Sequence, residues 1–423
     1  MSSTSLPKNP SPEPDKPKTR WDSILTSTPV VLTVVATALA GLSSSEMTRA
    51  QYFRSLAAQH QSKAGDQWGF FQAKRIRGGT MEMGVDVLRA QHALAPVTAE
   101  NIAESADRLP KDLDRVTRAG ERLQRALGEA KSGANDGSPR LDVERLVQTS
   151  RQNADEARSL EKKFAATLVR PEVREALKYL HGAELPEASK QVVGSPEIDE
   201  AHRAILGRKT EAETAALMAT IGEDELHQAL DASAENARAF EELGKPVDAE
   251  IADVGQLIKE ATVLAGGVHR LAERVDLGLA ELIGGNDAGP VRVAGSNDAS
   301  IELRNAAAAL ARADDALTKN ADGMNQSFAA ARRVFTARRY EREARDNQEI
   351  AGIYEIQVRK SSLESERHRT RSQLFFLGML VAQAGVTIAT FSLAMRQRNV
   401  LWVLATVAGL AAISFSGYVY LFT

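Results

Sequence analysis

Two tetrapeptides, Asp199-Glu200-Ala201-His202 and Asp224-Glu225-Leu226-His227, repeat an acid-x-x-His spacing. On a helix, positions i and i+3 share a face, and carboxylates and imidazoles placed this way hold paired metal ions in some helical bundles. Such a centre also needs carboxylates from facing helices, and the sequence assigns none. Solvated helix surface is therefore the preferred reading of both, and no metal or other cofactor is expected. The first tetrapeptide also spells a helicase motif, but no G-x-x-x-x-G-K-[ST] loop is present to cradle nucleotide phosphates. His60, His92, His181, His269 and His368 show no Ser/His/Asp logic, and there is no G-x-S-x-G elbow. The chain has no cysteine, which excludes thiolate nucleophiles, disulfides and Cys-ligated metals. Catalysis has no positive support, and a non-enzymatic protein is the expectation.

A denser constellation is Asp66-Gln67-Trp68-Gly69-Phe70-Phe71-Gln72-Ala73-Lys74, followed by Arg75. Asp66, Gln67, Trp68, Phe71, Lys74 and Arg75 combine an acid, an amide, aromatics and bases on one helix, a mixture that suits an interface centre. The alternative is that Trp68 and Phe71 are packing contacts within a helical stalk.

The elements that position these residues are helical almost throughout, and the expected fold class is all-α. From Leu374 to Phe422 the chain is nearly all apolar, interrupted by Arg396-Gln397-Arg398-Asn399. Residues 374–395 and 400–422 each suffice to cross about 30 Å of hydrocarbon as a helix. A third apolar run, 24–42, follows Lys16, Lys18, Arg20 and the interfacial aromatic Trp21. It reads as a first transmembrane helix or signal anchor. Ala38-Leu39-Ala40 before Gly41 keeps a cleaved signal open as the other reading. Three transmembrane helices are thus expected, with an elongated bundle or coiled-coil stalk between the first and second.

Residues 1–20 form a Pro-rich tail that lacks the apolar surface to order itself. A stalk helix is expected over 45–92, an inserted helical bundle over 97–298 and a long heptad helix over 299–373. Pro110 should kink or restart the helix around it, Lys131 to Pro139 reads as a linker, and a helix is expected from about 198 to 243 before Pro246. Val254, Leu257, Ala261, Leu264, Val268, Leu271, Val275 and Leu282 follow a heptad. In the next helix Leu303, Leu310, Leu317, Met324 and Ala331 take one seam position, and Ala307, Ala321, Phe328 and Phe335 take the other, where Asp314 interrupts the row.

If the first helix leaves the membrane near Ser44 and the last enters it near Leu374, equal distances along each should meet. Trp68 then lies level with Ile350, with Ile353 and Tyr354 one turn nearer the membrane. Lys74, Arg75 and Arg77 come level with Glu341, Glu343 and Asp346. In the spans, Gly378-x-x-x-Ala382 and Ala405-x-x-x-Gly409 permit close helix approach. Gln383, mid-span, is expected to bond another helix or another copy.

At these residues a family likeness enters. The Asp66–Lys74 stretch, with Arg339-Tyr340-Glu341-Arg342-Glu343, Ser365-Glu366-Arg367-His368-Arg369 and the membrane hairpin, resembles the DUF4337 family of uncharacterised bacterial membrane proteins. The resemblance covers roughly 24–90 and 335–423, leaves 97–298 as an insertion, and implies no activity, cofactor or catalytic residue.

Basic residues before Ile24 and at Arg396 and Arg398 fit a cytoplasmic location, although Arg367, Arg369 and Arg371 precede Leu374 on the other side. The expectation is an integral protein of the bacterial inner membrane with a cytoplasmic N-terminus and an extracytoplasmic helical domain. Its partners would be the lipid bilayer and a protein or second copy of itself. Net charge is only −3 with both signs mixed, so no nucleic acid is expected. A membrane sensor or transducer is the alternative function, and a metal-dependent enzyme the remaining one.

Overall fold

The computed structural model describes residues 20–130, 138–186, 196–207, 209–284, 297–395 and 398–422. The tail (but for Arg20), most of the 131–139 linker, most of the loop at 284–298 and the turn residues Arg396 and Gln397 lie outside them, as do the side chains of Trp21 and Leu282. The described residues are all-α, with nine helices and no strand. They are α1 (Arg20–Gln91), α2 (Ala99–Ala130), α3 (Ser138–Val169), α4 (Pro171–Gly182), α5 (Pro196–Leu206), α6 (Glu211–Thr220), α7 (Glu223–Gly284), α8 (Asn297–Ala394) and α9 (Arg398–Phe422). Three of them, α1, α8 and α9, contain stretches long and apolar enough to cross a membrane.

Local chemistry explains most helix ends. Thr98 accepts from the Asn101 amide at the start of α2, satisfying one orphan N–H. Pro171 opens α4, where its missing N–H costs nothing. Thr210 and Glu213 form a reciprocal capping box on α6. Glu223, Asp224 and Glu225 crowd the positive end of α7. These signals cut the single helix expected over 198–243 into three, at Gly207–Thr210 and at Ile221–Gly222. Conversely, α2 continues through Pro110 and α7 through Pro246. A proline removes one backbone bond, and the many remaining bonds and buried faces of long helices outlast that loss.

The chain divides into two compact units. The first comprises Met1–Gly65, Ser195–Leu226 and Gly352–Thr423. In it α1, α8 and α9 pack through small side chains. Ala36, Leu39, Phe375, Ala382, Ala412 and Val419 form one cluster, and Leu32, Ala389 and Ala405 another. The second unit comprises Asp66–Gly194 and His227–Ala351. Here α2, α3, α4, α7 and α8 bury one continuous apolar core, making a helical bundle. The expected rows supply it. Val254, Ala261, Val268 and Val275 on α7 are fully buried, as is Leu317 on α8.

Candidate interaction surface

In the bundle unit, the Asp66–Lys74 constellation is split between two sides of α1. Trp68 and Phe71 meet edge to face, with ring centroids 5.3 Å apart, and the Arg75 guanidinium lies 5.6 Å from the Phe71 centroid. Asp66 is exposed, while the Gln67 Oε1 is buried without a hydrogen-bond partner among the described residues. Lys74 Nζ stands 3.1 Å from Glu343 Oε2, the pairing expected from equal distances along the two helices. Glu343 also accepts from Arg339 Nε at 2.9 Å, and Arg339 reaches Asp248 on α7. One chain of charges thus joins α1, α8 and α7. Tyr340 and Ala337 crowd Gly78, where a Cβ would lie 3.5 Å from the Ala337 carbonyl. Glu341 pairs within its own helix to Arg338, and Ile350 is buried. Asp346 is buried too, which pushes its carboxyl above the ordinary range against the pull of Arg342.

The other side of α1 is open. Gly69, Ala73, Ile76, Thr80, Met83, Val87 and Ala90 recur at alternating spacings of three and four, and all are exposed. Ile76 and Met83 are each 70% exposed, and Phe70 beside them is 56% exposed. The same helix buries Gly78 and Val85 toward α8. Hydropathy alone would have turned Ile76 and Met83 inward.

In the first unit, α1 and α8 run antiparallel through a belt of polar contacts just beyond their apolar runs. Ser43 and Ser372 each donate to the other's carbonyl, at 2.9 and 2.8 Å. His368 Nδ1 meets Glu46 Oε2 at 2.6 Å, and its ring stacks on Phe53 at 5.4 Å. Ser365 donates to the Ala50 carbonyl. Tyr354 faces His60 and Lys63. Tyr354 is expected from the sequence as a stalk contact, but the pairings Ser43–Ser372, Glu46–His368 and Ala50–Ser365 are not, because lone Ser and His residues on a charged helix carry no periodic signal.

Among the span candidates, Gly378 and Gly409 sit where helices touch. A Cβ on Gly409 would clash with Leu32 Cδ2, and one on Gly378 would fall 2.9 Å from Ser416 Oγ. Ala382 is fully buried. Gln383, in contrast, is exposed on its own span helix. Trp402 Nε1 donates to Thr28 Oγ1 at 2.9 Å, a link between α9 and α1 that span composition does not reveal.

The acid-x-x-His tetrapeptides form no joint centre. His202 packs its imidazole onto Gly352 while Asp199 stays exposed, and Asp224 and His227 are exposed. Among the described residues, no three His, Asp or Glu side chains are grouped to hold a metal ion. The interruption at Asp314 has a different resolution. Its Oδ2 lies 2.8 Å from His269 Nδ1 on α7. The Asp314 hydrogen bond holds His269 above the ordinary imidazole value, and burial raises Asp314.

A groove of about 480 Å3 opens where residues 93–97 pass between α2 and α8. Asp112, buried in its wall, binds Arg115 Nη1 at 2.8 Å, and burial raises its carboxyl against that partner's pull.

No curated protein and no solved structure matches the chain. The family model "Domain of unknown function (DUF4337)" matches residues 21–167. That match takes in 97–167, part of the region set aside as an insertion, and does not include 335–423. Over α1, α2 and most of α3, the chain is DUF4337-like.

Proposed function

We propose that this chain is an integral membrane protein that self-assembles, a second copy docking along the open face of α1. The carrying observation is the exposed three-four row from Gly69 to Ala90. Its spacing fits another helix packed side by side, not a lipid or a flat surface. In parallel register, Ala73, Thr80 and Val87 occupy one seam position, and Gly69, Ile76, Met83 and Ala90 the other. The flanking positions then set Gln72 across from Arg77 and Gly79 across from Gly84, so no like charges face each other. Gln383 supports the same reading independently, because an amide exposed mid-span gains a partner when a second copy covers it.

The chain acts as a scaffold with no catalytic role. The N-terminus is cytoplasmic and the region between the first and second spans extracytoplasmic, supported by Lys16, Lys18, Arg20, Arg396 and Arg398. The bacterial inner membrane is the setting that the DUF4337 resemblance implies.

The absence of native cysteine makes the test clean. Ile76→Cys and Met83→Cys, oxidised in native membranes, should each give a disulfide-linked dimer, while Glu82→Cys, off the seam, should not. Equal crosslinking at all three positions, or none together with a monomeric mass in detergent, would overturn the proposal.

A further inference from the structure

The groove between α2 and α8 has a divided lining. Val97, Ile102, Met324 and Phe328, all buried, make an apolar floor. Toward one end stands the Asp112 carboxylate. Its Oδ1 is held by Arg115, while among the described residues its Oδ2 accepts from Asn320 Nδ2 at 3.5 Å, the outer limit of a hydrogen bond. That amide's better bond is to the Ser105 carbonyl at 3.0 Å. A carboxylate buried at 4% exposure with one lone pair so weakly engaged has capacity for a further donor. Around it, Arg108, Arg115 and Lys319 carry cationic heads on exposed side chains, paired with Glu104, Asp112 and Asp315; exposed pairs of this kind are worth little, so each head can turn to a second carboxylate.

Interiors pack with few voids larger than a water molecule, whereas small-molecule sites run to roughly 300–1,000 Å3. The groove falls in the second class, and Gly323 on its wall contributes no side chain, with open space where a Cβ would stand. A purely anionic ligand would meet the buried Asp112, and a purely cationic one would leave Arg115 facing a second cation beside that carboxylate. A zwitterion can instead complement both members of the Asp112–Arg115 pair.

We propose that this groove binds a free α-amino acid with an apolar side chain. The ammonium donates to Asp112 Oδ2, the carboxylate faces the Arg108, Arg115 and Lys319 heads, and the side chain lies on Met324 and Phe328.

The test uses the full-length protein in detergent, titrated calorimetrically with leucine, hexanoate and hexylamine. Leucine should bind with Kd below about 1 mM, and the two singly charged probes at least about tenfold more weakly. Gly323→Leu projects a side chain into open groove and replaces a poor helix former, so it should keep or raise thermal stability while abolishing leucine binding. Asp112→Asn should weaken leucine binding by at least about tenfold. Failure of leucine to bind would overturn the proposal. So would hexanoate or hexylamine binding equally well, or a folded Gly323→Leu protein that binds as tightly as the parent.

Discussion

Replacing Asp314 with leucine should stabilise the bundle, although it destroys an ion pair. Asp314 occupies a seam position at 9% exposure, and its Oδ1 is buried with no hydrogen-bond partner among the described residues. Its bond to His269 is charge-assisted and contributes about 1.5–3 kcal/mol. Leaving Oδ1 unsatisfied costs about 1–3 kcal/mol, which roughly cancels that bond. A leucine in the same seam, level with Leu310 and Leu317, adds about 1.5–3 kcal/mol of burial. His269, with 35% of its side chain exposed, retains water and Glu273 as partners. The net expectation is a gain of about 1–2 kcal/mol, or a rise in Tm of a few degrees for a unit of this size. Circular dichroism melts in detergent would measure it.

The pH dependence gives a second readout on the same variant. His269 is raised in the fold, so its contribution is complete below about pH 6.5 and is lost as pH rises through the folded value. Asp314 is raised too, so its ionisation also disfavours the fold as pH climbs. Both terms have the same sign, and Glu273, Asp315 and Asp322 nearby reinforce one or the other. The parent should therefore lose stability as pH rises, the Asp314 part setting in above about pH 4 and the His269 part above about pH 6.5, with solvent screening of His269 keeping the slope shallow. Asp314→Leu should flatten that slope. A variant more than about 1 kcal/mol less stable than the parent, or one with an unchanged slope, would refute the reasoning.

Two further outcomes rest on single contacts. A Cβ on Gly352 would lie 2.5 Å from His202 Nε2, so Gly352→Ala should cost about 1–3 kcal/mol in the parent. In a His202→Ala background the same change should turn stabilising by up to about 1 kcal/mol, because only the helix-propensity gain remains, and a double-mutant melt series would show the change of sign. Trp402→Phe removes the bond to Thr28 and should lower thermal stability in detergent by about 0.6 kcal/mol, whereas no change would place that indole in lipid contact instead.

The sequence by itself determined the all-α class and the three helical stretches long and apolar enough to cross a membrane. Uncharged runs of membrane length and rows of leucine and valine at three-four spacing are properties of contiguous residues, and they read correctly without knowledge of neighbours. The match of Lys74 to Glu343 was also legible, because complementary charges at equal distances from the two apolar runs suggest that pairing. Tertiary structure decided which face of each helix turns inward. On α1 the inward face carries Ala57 and Ala64 in one unit and Gly78 and Val85 in the other, while Ile76 and Met83 look outward. Small residues face α8 where backbones come close, and that proximity outweighs side-chain hydropathy. The pairing of Asp314 with His269, the seat of His202 on Gly352 and the groove beside Asp112 each join residues 45 or more positions apart. No periodicity within one helix encodes such a meeting, since it depends on how the helices are brought together.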